Sequence, residues 1–160
     1  MVSVGEIKND GAASSKSKIG ERLSVKRSCL CDLLIKLAED NANFFGHSTF
    51  PATYTKRLYE SCSEIAISTK ALIGLVNTVH GMAPRYDFDS CTPGNGFRSL
   101  VCITDIVVLH LISLLRSCSE KRHTLIFRSS YYCKEIEAYA AILRFFVLSL
   151  QQVLLHFLFF

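Results

Sequence analysis

Two segments of this chain repeat apolar residues at alternating four- and three-residue steps. One runs through Leu58, Cys62, Ile65, Thr69, Leu72, Val76 and Val79, the other through Tyr132, Ile136, Tyr139, Leu143, Phe146, Leu150, Val153 and Phe157. In a strand such spacing would scatter these side chains over both faces, whereas in a helix it gathers them into one stripe. A stripe of this kind is stable only when another helix covers it. The spacing therefore predicts an all-α fold, a bundle whose helices pack side by side.

Two further helices complete the set of about four. Leu30, Leu33, Leu34, Leu37, Asn41, Phe44 and Phe45 share one face at three- and four-residue steps, and Gly46 stops that helix. Pro51 is placed to open the second helix, which ends before Gly81. From Phe97 to Leu115, around IVVLHLISLL, the chain is apolar almost all round, so the third helix is expected inside the bundle. His110 is then expected to be a neutral, hydrogen-bonded core residue, with no second His or Cys four residues away to share a metal. The last helix is expected to start near Ser130, after a briefly extended TLIFRSS at Thr124 to Ser130. Residues 1–27, rich in Ser, Lys and Gly without a helical period, read as a flexible leader, and 28–160 as the helical domain.

With 160 residues, 49% hydrophobic and 20% charged, the chain suits one globular domain with a core and excludes wholesale disorder. Its 18 basic residues are scattered rather than blocked together, which argues against nucleic acid as a partner despite a net charge of +4. No apolar run of signal-peptide length opens the chain, so the expected location is cytoplasmic and the seven cysteines are expected as thiols. Cys29 and Cys31 would diverge by about 200° on a helix, which makes them core or surface residues rather than metal ligands. Lys26-Arg27-Ser28 has the form of a basic-directed kinase site, and the plainer reading is a solvated entry to the first helix. FFVLSLQQVLLHFLFF, Phe145 to Phe160, is the most apolar window, yet Gln151, Gln152 and His156 interrupt it. It falls short of the about 20 apolar residues a membrane span needs, and fits a bundle helix whose partner is missing.

Turn-forming and acidic residues crowd together in RYDFDSCTPGNGFRSL, Arg85 to Leu100, and invite a search for chemistry. A calcium loop starting at Asp87 fails at Cys91, Thr92 and Arg98, where the template needs a carboxylate or amide, a glycine and a bidentate Glu. GNGFRS has Ser99 in place of the third glycine of a dinucleotide fingerprint, and no strand precedes it. What remains is a helix entrance, with Asp89, Ser90 or Thr92 as cap, Pro93 beginning the first turn, and Gly94 and Gly96 allowing close approach. GHSTF, Gly46 to Phe50, lacks the second glycine of a nucleophile elbow, and no HGGG occurs. Glu135 and Glu137 would point about 200° apart, unsuited to an acid–base pair. A cysteine nucleophile would need no sequence-adjacent His, and nothing singles out one of the seven cysteines for that role, so a small cysteine enzyme stands as the last of the readings. The residues otherwise supply no catalytic, cofactor-binding or metal-ligating set, and the chain is expected not to be an enzyme as it stands and to hold no cofactor.

Four segments in order, LIKLAEDNANFF (Leu34 to Phe45), YDFDSCTPGNGFRSL (Tyr86 to Leu100), LIFRSS (Leu125 to Ser130) and EIEAYAAIL (Glu135 to Leu143), resemble the N-terminal domain of hormone-sensitive lipase. The resemblance spans roughly Leu30 to Leu155. It implies a helical domain that precedes an α/β-hydrolase domain cleaving acylglycerols and cholesteryl esters. It also implies a cytosolic protein that moves to lipid droplets, and a region serving self-association and contact with lipid and a fatty-acid-binding protein. No catalytic motif of that family has a counterpart here, so no catalytic residue carries over. HFLFF does not match the family's continuation, and a domain truncated at its C-terminal end is the expectation. The competing reading is a small tail-anchored or membrane-surface helical protein.

Overall fold

The computed structural model describes residues 12–49, 52–82, 97–127 and 129–159. Four α-helices account for almost all of them: α1 (Ala12–Gly46), α2 (Ala52–Met82), α3 (Phe97–Lys121) and α4 (Ser129–Phe159). A 3₁₀ helix, Arg122–Phe127, joins α3 to α4, and no strand occurs among the described residues. The four-helix, all-α architecture is as the stripes require.

Three boundaries differ from the sequence expectation. Helix α1 begins at Ala12 rather than near Ser28, inside the stretch assigned to the leader. Ala, Ser, Lys, Glu and Arg there contain no proline and tolerate a helix without any apolar face, so periodicity could not register it. TLIFRSS is not extended, because the six residues from Arg122 tighten into a 3₁₀ turn that reverses the chain. At the other end, α2 runs through Gly81 to Met82. The proposed caps at Asp89, Ser90, Thr92, Pro93, Gly94 and Gly96, and Pro51, lie outside the described residues.

Cross-helix pairs give the packing. α1 packs on α2 and on α3, and α4 packs on α2 and on α3, so the ring order is α1, α2, α4, α3. Glu39 of α1 meets Lys70 of α2, and Gly46 faces Tyr59, which makes those two helices antiparallel. His110 lies on Tyr139 and Ser117 on Tyr132, so α3 and α4 are antiparallel too. Arg27–Asp105 with Asp40–Arg122 makes α1 and α3 parallel, and Arg57–Glu137 with Glu64–Arg144 does the same for α2 and α4. The molecule is thus two helical hairpins laid against each other. Gly46 lets the first turn pass close to α2, since a Cβ there would come within 3.2 Å of the Tyr59 ring and push it aside by a few tenths of an ångström.

The core is what the stripes deliver. Leu34, Leu58, Ile65, Leu72, Leu111, Leu115, Ile136, Leu143 and Leu150 are all at or below 1% exposure. Each such side chain removed from water contributes about 1.5–3 kcal/mol before chain entropy is counted, so these positions dominate stability. Asn41 is the polar exception on the α1 stripe, and it is fully buried. Its Nδ2 donates to the Leu37 and Leu115 carbonyls at 2.9 and 3.3 Å and to Ser119 Oγ at 2.9 Å. Arg122 Nη1 donates to its Oδ1 at 3.4 Å and to Asp40 at 2.7 Å, while the guanidinium lies 4.4 Å from the centre of the Phe44 ring. A polar group with this many fixed partners sets the register of α3 against α1.

Candidate interaction surface

The ring order leaves one side of α3 and one side of α4 facing outward together, and that side is apolar. On α3, Ile103 is 42% and Ile106 66% exposed, and on α4 Ile142 is 38% and Phe145 65% exposed. Ile103 and Ile106 stand seven and four residues before His110, on its side of α3, and Ile142 stands three residues after Tyr139 on α4. Because His110 meets Tyr139 at 4.2 Å between ring centroids and the helices are antiparallel, these positions form one continuous patch. Leu148, Leu155 and Phe159 are exposed too, on the side of α4 that carries Glu137 and Arg144 and pairs with α2.

This overturns two expectations. Helix α3 is not enclosed: an all-round apolar sequence met only two packed neighbours, and its third side stayed outside. His110 is not a core residue. It is exposed, with its ring tilted against Tyr139. The expectation for Phe145 to Phe160 was sounder, since α4 is a bundle helix with apolar residues left uncovered on its outer side.

Formal charge is sparse within the patch, and exposed Arg116 and Lys134 flank it. Between Ser99 and Leu115 the one formally charged side chain is Asp105, and between Ala138 and Phe160 it is Arg144. Asp105 accepts two hydrogen bonds at 2.9 Å from Arg27 Nε and Nη2 of α1, and Arg144 pairs with Glu64 of α2 at 3.0 Å. Arg57 forks onto Glu137 in the same way, with Nε 3.0 Å from Oε2. That pairing holds the Glu137 carboxyl below its ordinary range and the Arg57 guanidinium above its own. Sequence analysis missed these pairs, although a lone charge inside an apolar helix, such as Asp105, was a legible signal that some partner must face it.

The described cysteines form no metal centre, and no group of three or more His, Cys, Asp or Glu among the described residues is placed to hold an ion. Cys29 is exposed and Cys31 buried, the divergence expected of a CxC on a helix. Burial pushes the Cys31 thiol up to about 11 and Cys118 to about 12, and raises Cys62 and Cys133 as well. A thiol held protonated is a poor nucleophile. In native protein at neutral pH, iodoacetamide is therefore expected to modify Cys29 and Cys102 and to spare Cys31, Cys62, Cys118 and Cys133, read by peptide mass mapping. Rapid labelling of Cys62 would contradict the packing. Glu135 and Glu137 do diverge, Glu137 turning to Arg57. The tetrapeptide SCSE occurs at Ser61 to Glu64 and at Ser117 to Glu120 with the spacing of a capping box, yet both copies lie inside helices: Ser61 is buried within α2, and Ser117 bonds the Tyr132 hydroxyl from within α3.

This four-helix bundle has a match among known families. The family model for the N-terminus of hormone-sensitive lipase (HSL) matches residues 30–158. The chain belongs to that family. Hormone-sensitive lipase of Mus musculus is 34% identical over 110 residues, which is 69% of this chain and 14% of that protein. The Homo sapiens protein is 34% identical over 110 residues, 69% of this chain and 10% of its own length. The Bos taurus protein is 35% identical over 113 residues, with 69% and 14% covered. The chain thus corresponds to a small N-terminal part of these hydrolases. No solved structure matches it. Within the HSL N-terminal region, LIKLAEDNANFF supplies Leu34, Ala38, Asn41 and Phe45 to the core, and EIEAYAAIL supplies Ile136, Ala140 and Leu143. YDFDSCTPGNGFRSL lies mostly outside the described residues, and only its end, Phe97 onward, is seen as the start of α3.

Proposed function

We propose that this chain serves as the non-catalytic, lipid- and partner-engaging N-terminal region of a hormone-sensitive-lipase-like hydrolase of acylglycerols and cholesteryl esters. The observation that carries this reading is the apolar patch shared by α3 and α4, whose exposed Ile106 and Phe145 have no counterpart in the needs of the bundle itself. Family membership supplies the enzyme, and the face supplies what a helical region can add to it: a surface that prefers hydrocarbon or another apolar surface to water. Self-association and docking of a fatty-acid-binding protein belong to the same proposal, as does a cytosolic protein that partitions to lipid droplets.

The test grafts the chain onto a hydrolase. The mouse relative, with its matching region replaced by this chain, is assayed on emulsified triolein and on soluble p-nitrophenyl butyrate. Both activities are expected at the parent's level, and Phe145→Glu in the graft is expected to lower emulsion turnover while leaving the soluble ester untouched. Equal loss on both substrates would refute a role in lipid engagement. The isolated chain is expected to hydrolyse neither substrate.

A second reading, a small membrane-surface protein acting alone, draws on Ser99–Thr124 and Ser130–His156, each long and apolar enough to cross a bilayer. Their inner sides form the bundle core, which favours the first reading.

A further inference from the structure

We draw no further inference here: the strongest candidate, the exposed apolar patch of Ile103, Ile106, Ile142 and Phe145 on the outer side of α3 and α4, belongs to the surface already described, and nothing in the structure shows what covers it.

Discussion

Leu115→Ala is expected to lower the stability of the bundle by about 3 kcal/mol, the usual cost of emptying a leucine site in a packed core. Leu115 is 0% exposed and projects from α3 into the centre of the ring, where the core residues of all four helices converge. With a urea slope of about 2 kcal/mol/M for a domain of this size, the unfolding midpoint should fall by about 1.5 M. The same residue's carbonyl accepts from Asn41 and Ser119, so a backbone shift toward the cavity also loosens the polar node. A midpoint within about 0.3 M of the parent would mean that α3 is not packed as described. Ile106→Ala is the matched comparison. Ile106 is 66% exposed, and its removal is expected to change the midpoint little.

Asn41→Ala is expected to cost about 2 kcal/mol by a different route. Its amide donates to two carbonyls and a hydroxyl on α1 and α3, and its oxygen accepts from Arg122. Alanine leaves a small cavity and removes the group that ties α3 to α1 at one register. Arg122 keeps Asp40 and the face of Phe44, so the loss is not that of an abandoned charge. The discriminating measurement is a double-mutant cycle with Ser119→Ala. If the network is as described, the two changes are strongly non-additive, because both remove the same Asn41–Ser119 bond. Simple additivity would place Asn41 in solvent rather than in the node.

How much of this was legible in the sequence follows from what periodicity can carry. The stripes through Leu58 to Val76 and Tyr132 to Leu150 named core residues correctly because a four–three repeat has one buried side in any bundle. Helix α3 misled for the same reason. When residues on every side are apolar, the pattern cannot tell which side the neighbours take, and Ile103, Ile106 and His110 were left outward by the ring order. The extension of α1 back to Ala12 was invisible because a helix rich in Ser and Lys has no stripe to read. The candidate surface and the ion pairs between the two hairpins depend on which helices are neighbours, and four segments in a line do not specify that. Asp105 was the one local hint, a single carboxylate in an apolar run that had to find a cation, and it found Arg27 on the other hairpin.

The claim that matters most is that the α3–α4 face of this HSL-family region engages lipid, and flotation of a surface variant tests it most directly. Ile106→Glu with Phe145→Glu places two carboxylates on the exposed patch at positions 66% and 65% open to water, so the bundle's urea midpoint should be unchanged. With triolein droplets coated in phosphatidylcholine, the parent chain is expected to float with the droplets and the double Glu variant to remain in the aqueous fraction. A variant that keeps the parent's midpoint and still floats as the parent does would contradict the account, because the lipid-facing surface would then have to lie elsewhere.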